Sequence, residues 1–516
     1  MSQLSGTPAE GLDPADTVVD RTRAGAAVRR AALSGWVVLI AGVQAAVLIA
    51  TAWRYGYHGD EFYFIVAGSH PALGYPDQPP LVPLLAWAMH GLGSGSLTIV
   101  RLPSAVVGAL TTVLAGLIAR EIGGGRRAQI VAAACTAVSG FALAASHTVG
   151  TTTFDMLSTT AFLYLVIRAL VRVSGRALLA AGLVVGLGFE AKPQVGIVAL
   201  AVAAAVALVG PRWPLRTWWT AGAVLVAVGL AAPYLIWQQQ HGWPQITVAG
   251  NIGGSAEGGR AGFIPFQLVM VSVLLVPVWI AGLVLPFRRD EARLLRFLPI
   301  AYLGLAAAYL LGDGKAYYLA SLYPALLGLG ALPVADWTLR HRRGFVALVV
   351  AVVASAGLNG FIALPLLPER SLQGSITMKL NPDMGDTVGW PRFIQTVASS
   401  WRHIPAGERK HTAIFTATYH EAGAVDVLGG EAGLPHAYSG HNGFTEWGKP
   451  PVSDTHALLL GYPDTRYLSR DFRDCRTLAT INDGVGLDNN EQGLPVQLCR
   501  PAASWQTLWP HLTHYD

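Results

Sequence analysis

The sequence predicts a polytopic α-helical membrane protein that carries a small soluble α/β domain at its C-terminal end. Of its 516 residues, 52% are hydrophobic and only 13% are charged, whereas soluble domains carry about 25% charged residues. Apolar runs long enough to approach the ~20 residues of a membrane-spanning helix recur as far as Leu367. After Leu367 the composition turns polar. These observations divide the chain into a disordered cytoplasmic tail (1–32), a transmembrane domain (33–367) and a soluble domain (368–516).

The apolar runs predict about eleven membrane spans. A further short helix, Leu81–Gly91, is expected to lie along the membrane surface. The predicted spans are Leu33–Trp53, Leu102–Ala119, Ala128–Ala145, Phe154–Val171, Ala177–Phe189, Val195–Val209, Thr217–Trp237, Phe263–Pro286, Leu295–Leu311, Ala316–Val334 and Phe345–Leu367.

The basic residues of the connecting loops support this count. With a cytoplasmic N-terminus, nineteen arginines fall on the inner side of the membrane domain, against five basic residues on the outer side. This bias follows the positive-inside rule. The net charge of +5 therefore reflects membrane topology, and nucleic acid is not an expected partner. An odd number of spans places the soluble domain outside the cytoplasm.

This topology gathers the acidic and histidine side chains of the membrane domain at its outer face. The first outer loop opens with Asp60 and Glu61 beside His58, followed by an aromatic run and by the stretch Tyr75-Pro76-Asp77-Gln78-Pro79-Pro80. Acids at a membrane boundary are costly, so a functional role is the default expectation. Carboxylates of this kind serve general-base chemistry when they are held close to a substrate. The structural alternative is that they only complement a helix N-terminus.

Three further outer segments hold candidate substrate-binding residues. His147 and Asp155 flank the second outer loop, where Asp155 would otherwise be a simple helix-terminal charge and His147 a loop hydrogen-bonding residue. Lys192 lies in a tight turn, where it either contacts a phosphate or only extends to the membrane surface. Arg260 ends a glycine-rich loop that begins at Gly250 and is expected to be mobile, as many substrate-gating loops are.

The segment that opens the tenth span also suits a phosphate. Lys315 offers a positive charge, and Tyr317 and Tyr318 offer hydroxyl donors, a combination suited to a lipid phosphate at the interface. The structural alternative is an aromatic belt with a lysine extended to the interface.

With these motifs the chain resembles the GT-C fold glycosyltransferases of the protein O-mannosyltransferase and aminoarabinose-transferase superfamily, and is glycosyltransferase family 39-like. The resemblance is specific at four segments, which are His58–Phe64, Gly74–Pro80, His147–Leu157 and Gly314–Pro324. It implies a polyprenyl-phosphate sugar donor, such as a mannose or another hexose or pentose carrier, and an inverting transfer to a hydroxyl outside the cytoplasm.

The resemblance also assigns roles to individual residues. Asp60 is implied as the catalytic base, with Asp155 helping to hold the acceptor and Glu61 as the further catalytic candidate. The phosphate and substrate contacts are implied to come from His58, His147, Lys192, Arg260, Lys315, Tyr317 and Tyr318.

The sequence leaves several alternatives open. No metal-ligand pattern is evident, and the tail residues His436, His441 and Glu446 lack the spacing of a metal site. No cofactor is required, although a divalent cation at the outer acids is possible. The expected partners are the lipid bilayer, the lipid-linked donor and an acceptor that can be a protein, glycan, lipid or natural product. A flippase for lipid-linked sugars and a membrane scaffold that binds through its tail are the alternative functions.

The tail predicts a small α/β fold. Helical signal spans Pro391–Trp401, and short apolar runs at Ala413–Thr416, Ala457–Leu460 and Thr477–Ile481 are typical of strands. Cys475 and Cys499 are the two cysteines of this part, and an oxidising compartment predicts that they pair.

Overall fold

The computed structural model describes residues 31–254, 259–463 and 470–516. The predicted disordered tail lies, up to residue 30, outside the described residues. The protein is mostly helical and carries a small C-terminal sheet. In chain order the helices of the first part are α1 (Gly35–Thr51), α2 (Gly59–Ser69), α3 (Leu81–Leu92), α4 (Leu97–Glu121), α5 (Arg126–Ala137), α6 (Gly140–His147), α7 (Thr151–Arg172), α8 (Gly175–Phe189), α9 (Gln194–Val209), α10 (Trp218–Gln240), α11 (Pro244–Gly254), α12 (Gly259–Val271), α13 (Val276–Arg288), α14 (Phe297–Leu311), α15 (Tyr323–Arg340) and α16 (Arg342–Ala363).

Each of the eleven predicted spans coincides with a helix or a bent pair of helices, although the number that crosses a membrane stays a prediction. Five helical segments are long and apolar enough to cross by themselves, namely α4, α7, α10, α16 and the segment Ala316–Arg340 that ends in α15. Two bent pairs, α5 with α6 at 58° and α12 with the segment Val273–Arg288 at 80°, raise this number to seven. The other four, α1, α8, α9 and α14, are shorter apolar helices of 15 to 17 residues.

Two outer segments differ from the predicted layout. The helix α7 begins at Thr151, so Asp155 lies within it and not at its start. The expected glycine-rich loop is partly helical, because α11 continues to Gly254 and α12 resumes at Gly259. The residues between them lie outside the described part of the chain.

The C-terminal part folds around a five-stranded sheet. Its helices are α17 (Ile376–Leu380), α18 (Trp390–His403), α19 (Ala406–Arg409), α20 (Tyr419–Leu428) and α21 (Trp505–Leu512), and its strands are β1 (Thr412–Thr416), β2 (Ala437–Ser439), β3 (His456–Leu460), β4 (Phe472–Thr480) and β5 (Pro495–Pro501). The strand order is β2-β1-β3-β5-β4. The strand β1 pairs in parallel with β2 and β3, and β5 pairs antiparallel with β3 and β4.

The predicted helix and all three predicted strands are present. The predicted disulfide is confirmed, because Cys475 and Cys499 are joined across the neighbouring strands β4 and β5. The third cysteine, Cys135, is free and buried in the helical part.

The C-terminal part packs against the helical part, because the two share a hydrophobic core at α2. Phe62 and Tyr63 of α2 lie in the same buried cluster as Trp390 and Phe393 of α18 and Val425 of α20. The sharing of one core means that α2 is held from both sides, by the helical part and by the C-terminal domain.

Candidate active site

Asp60 occupies the first turn of α2, where the helix start fixes its backbone. His58 is the N-cap, and its Nδ1 accepts a hydrogen bond from the Asp60 amide at 3.2 Å. The Glu61 side chain in turn accepts from the His58 amide, which completes a capping box. The helix-cap alternative therefore holds for His58 and Glu61. The Asp60 side chain caps nothing and is 41% exposed.

The Asp60 carboxylate is contacted by the start of α20 in the C-terminal domain. The Tyr419 hydroxyl donates to Asp60 Oδ1 at 2.9 Å, and His420 Nε2 lies 3.5 Å from the same oxygen. Partial burial alone would raise the pKa of Asp60, but His420, His58 and Tyr419 outweigh it and hold that pKa below its usual range. Asp60 is therefore ionised at neutral pH.

Two glycines allow this close approach of α2 and α20. A Cβ at Gly59 would lie 2.4 Å from the His420 ring, and a Cβ at Gly423 would lie 2.8 Å from the Phe62 side chain. A side chain at either position would push the two helices apart. Glycine at both positions thus brings Tyr419 and His420 within reach of Asp60.

Glu61, the neighbouring acid, has a different environment, because it is fully buried against Arg101. Arg101 donates from Nε to Oε1 at 2.9 Å and from Nη2 to Oε2 at 2.7 Å. The amides of His58 and Val149 fill the remaining acceptor positions, each at 2.9 Å. Arg101 also donates to the carbonyls of Ala52 and Gly56, so the pair joins α1, α2 and α4. This enclosed ion pair suits a structural role for Glu61 better than proton transfer with a substrate.

A second acid, Asp77, is linked to Asp60 through the packed rings of Tyr63 and Tyr419. The Tyr63 hydroxyl donates to Asp77 Oδ1 at 2.7 Å, and the Gly443 amide donates to that hydroxyl at 3.0 Å. The Tyr63 and Tyr419 rings lie 4.5 Å apart. Burial raises the pKa of Asp77 to about 7, and the negative charge of Asp60 adds to the effect. The two carboxyls are thus in different protonation regimes, an arrangement common at acid–base sites.

The residues expected to bind phosphate form a second group. Lys192 Nζ donates to the Thr152 hydroxyl at 2.9 Å and lies 5.5 Å and 5.4 Å from the ring centres of Tyr317 and Tyr318. Lys315 Nζ lies 5.8 Å from the Tyr317 ring. Burial lowers the pKa of Lys192, an effect that Asp155 opposes and Lys315 reinforces. Two lysines and two tyrosines thus converge, as a site for a phosphate requires.

Asp155 lies at the base of this group. It is 1% exposed and accepts hydrogen bonds from Thr159, at 3.4 Å, and from the Ser321 hydroxyl. Ser321 belongs to the segment Ala316–Leu322, which also carries Tyr317 and Tyr318. The hydrogen bond from Ser321 thus links Asp155 to the lysine and tyrosine group, while its role in holding the acceptor stays a prediction.

Two expected binding residues have other partners. Arg260 forms a bidentate ion pair with Asp313, at 2.8 Å and 2.9 Å. His147 is buried, with Nε2 at 3.3 Å from the Thr51 carbonyl. The predicted role of both residues in substrate binding stays a prediction.

Within the described ranges, one group of side chains has the make-up of a metal site, and it packs against Tyr419, whose ring centre lies 4.6 Å from that of His441. It consists of His441, His514 and Asp516. His441 Nδ1 accepts a hydrogen bond from the Tyr419 amide at 3.4 Å, and His441 Nε2 lies against a carboxylate oxygen of Asp516.

Three residues that contact the two adjacent acids were not predicted from the sequence. Arg101 was counted only as an outer basic residue, and Tyr419 and His420 were not singled out. One signal for the latter is the pattern Thr418-x-x-Glu421, a capping box that the structure confirms at the start of α20.

Comparison with known proteins gives one family match. Residues 77–237 match the family described as dolichyl-phosphate-mannose-protein mannosyltransferase. The match covers 161 of 516 residues, a little under a third of the chain. It includes Asp77, Asp155 and Lys192, and begins after Asp60. No curated protein matches the sequence.

Several solved structures are similar at low sequence identity. ArnT from Cupriavidus metallidurans bound to undecaprenyl phosphate has a TM-score of 0.49 and 18% identity, over 77% of this chain and 75% of that one. The Archaeoglobus fulgidus oligosaccharyltransferase in complex with zinc and sulfate has a TM-score of 0.48 and 16% identity, over 76% and 61%. The mycobacterial arabinofuranosyltransferase AftD has a TM-score of 0.46 and 18% identity, over 75% and 30%.

The resemblance to protein O-mannosyltransferases that the sequence predicts is thus confirmed over residues 77–237, which match the mannosyltransferase family model.

Proposed function

We propose that this protein is a multi-pass membrane glycosyltransferase that moves a sugar from a polyprenyl phosphate to an acceptor hydroxyl. The observation that carries the proposal is the partly exposed Asp60 carboxylate, which the Tyr419 hydroxyl holds at Oδ1. The same chain also brings Lys192 together with Tyr317 and Tyr318. The match of residues 77–237 to a family of lipid-phosphate mannose transferases supports the class of reaction. Mannose is the first candidate sugar, and other hexoses and pentoses follow.

The reaction is an inverting displacement at the anomeric carbon. The acceptor oxygen forms a bond to that carbon while the bond from the carbon to the phosphate oxygen breaks, and the electron pair leaves with the lipid phosphate. Asp60 takes the proton of the acceptor hydroxyl. A polyprenyl phosphate with one more negative charge is then released.

The lysine and tyrosine group accounts for the leaving phosphate. Lys192 and Lys315 provide positive charge, and Tyr317 and Tyr318 provide rings and hydroxyls around it. Fixed positive charge near a developing anion stabilises the transition state more than the ground state. Burial lowers the pKa of Lys192, and Asp155 opposes this effect.

The side of the membrane follows from the charge distribution. The nineteen-to-five bias of basic residues supports an extracytoplasmic position of the loops with Asp60 and Lys315. We therefore propose that the N-terminus is cytoplasmic and that the C-terminal domain is extracytoplasmic. The disulfide between Cys475 and Cys499 agrees with this side, because disulfides persist in oxidising compartments.

Purified full-length protein in lipid nanodiscs tests the proposal. It is given radiolabelled polyprenyl-phosphate mannose, then other lipid-linked hexoses and pentoses, together with an envelope extract from cells that lack the protein. We expect label to move to an acceptor from one of the lipid-linked donors and free polyprenyl phosphate to accumulate. A parallel reaction contains nucleotide sugars instead. Transfer only from a nucleotide sugar, or none from any lipid-linked sugar, contradicts the proposal.

A further inference from the structure

We propose that His420 of the C-terminal domain is a positioning residue that holds the Asp60 carboxylate in the orientation in which it receives the acceptor's proton. The inference rests on the proposed function, since it concerns the same carboxylate. It makes the C-terminal domain part of the active site.

The contacts divide the two carboxylate oxygens of Asp60. Tyr419 and His420 both approach Oδ1, at 2.9 Å and 3.5 Å. The side-chain nitrogen recorded beside Oδ2 is His58 Nδ1 at 3.9 Å, beyond hydrogen-bond distance, and that nitrogen already accepts a hydrogen bond from the Asp60 amide. Oδ2 is therefore the oxygen left for the substrate hydroxyl.

His420 can fix Asp60 because it is itself held tightly. Its ring packs edge-on against the Tyr419 ring at 4.4 Å and against the His58 ring at 6.2 Å. The absence of a side chain at Gly59 leaves the space that the ring occupies. Its side chain is only 20% exposed, so solvent has limited access to it.

The charges around His420 favour its protonated form. Burial would lower the pKa of His420, but the contact with the negatively charged Asp60 carboxylate, together with Glu421 and Glu491, raises it to about 9. His420 is therefore a cation at neutral pH and loses its proton as the pH rises through about 9. The titratable groups that face it are Asp60, Glu421, Glu491, Asp386, Asp516, His58 and His441.

The test compares His420→Gln with wild type in the nanodisc transfer assay. Glutamine keeps a hydrogen-bond donor but cannot carry the charge. We expect kcat to fall about 10- to 100-fold, the range for a misplaced catalytic group, while the Kd for polyprenyl-phosphate sugar changes by less than twofold. Wild-type activity should also decline as the pH rises through about 9, and that decline should be missing in His420→Gln.

The matched control is His436→Gln in the same domain. His436 also pairs with an aspartate, with Nδ1 at 2.9 Å from Asp426, but it lies on the exposed surface. The variant His436→Gln should leave kcat and the pH profile of the transfer reaction unchanged. If His420→Gln does not fold, the wild-type profile alone decides the question, because activity that stays flat through pH 9 overturns the inference.

Other results separate this inference from the proposed function. If His420→Gln keeps full turnover, or if its turnover and donor affinity fall in parallel, the positioning role is wrong even when Asp60→Asn is inactive. An equal loss in His436→Gln also overturns it. Full turnover by Asp60→Asn instead removes the catalytic base from the proposed function.

Discussion

The helical part and the C-terminal domain contribute to the same site in different ways. The helical part supplies Asp60, Asp155 and the lysine pair, all of which lie in segments that the sequence had marked as outer loops. The C-terminal domain supplies Tyr419 and His420, which reach Asp60 only because β1 and α20 fold onto α2. The difference shows that local patterns identify a charged group, while tertiary packing decides what that group can do.

The adjacent acids Asp60 and Glu61 show the same contrast within two residues. Asp60 faces the C-terminal domain and stays partly exposed, whereas Glu61 faces α4 and is sealed against Arg101. Side chains of neighbouring residues in a helix point about 100° apart. The same helix start can therefore direct Asp60 towards a substrate and Glu61 into a buried ion pair.

Asp60→Asn should abolish transfer and leave the protein folded. Asparagine keeps the shape and can still accept the Tyr419 hydroxyl, but it cannot take a proton at neutral pH. Loss of a general base typically costs 10²- to 10⁴-fold in rate. Turnover in the nanodisc assay measures the loss, and donor binding shows that the site is intact. Near-normal turnover would move the base to Asp77 or Asp155.

Glu61→Gln should lower the stability of the folded protein, an effect that a loss of proton transfer alone would not produce. It leaves the buried Arg101 guanidinium without its counter-charge, and breaking a buried pair costs about 3–5 kcal/mol. We expect a lower yield and a lower Tm than for Asp60→Asn, which serves as the matched control. If Glu61→Gln folds like wild type but is inactive, Glu61 belongs to the chemistry after all.

Loss of the disulfide should destabilise mainly the C-terminal domain. The bond closes a loop with a sequence separation of 24 residues, and the chain-entropy relation gives about 3 kcal/mol for such a loop. The double variant Cys475→Ser with Cys499→Ser should therefore unfold at lower temperature, and wild type with reductant should match it. Rapid alkylation of both thiols in unreduced wild type would show that the bond is absent.

Lys315→Ala should weaken donor binding. A charge-assisted hydrogen bond contributes about 1.5–3 kcal/mol, so the Kd for the lipid-linked sugar should rise about tenfold or more. The control is Lys379→Ala on α17, which removes an exposed lysine from the C-terminal domain. Unchanged donor affinity in Lys315→Ala would favour the aromatic-belt interpretation of this segment.

The sequence was sufficient for the features that depend on neighbouring residues. The apolar runs located the helices, because an apolar segment must be removed from water along its whole length, either in the protein core or in the membrane. Short apolar runs did the same for the strands, since every residue of β1 is buried. The Asp60 segment was recognised because acids next to an apolar run are unusual.

Features that join distant segments could not be predicted from local patterns. The Glu61–Arg101 pair links residues 40 positions apart, and the Tyr419–Asp60 bond links residues 359 apart. Arg260 looked like a phosphate ligand, but its bidentate partner Asp313 comes from another loop. Each of these pairings depends on which helices pack together, and apolar periodicity does not encode that choice.

A double-mutant cycle between Asp60 and His420 tests most directly whether the two regions form one active site. Turnover is measured for wild type, Asp60→Asn, His420→Gln and the double variant, with the same lipid-linked donor and at the same pH. We expect His420→Gln to cost about 10- to 100-fold in turnover in the wild-type background. It should cost almost nothing once Asp60 is asparagine, because His420 acts through that carboxylate. Equal losses in both backgrounds would show that His420 acts independently of Asp60, and the two regions would then not form one active site.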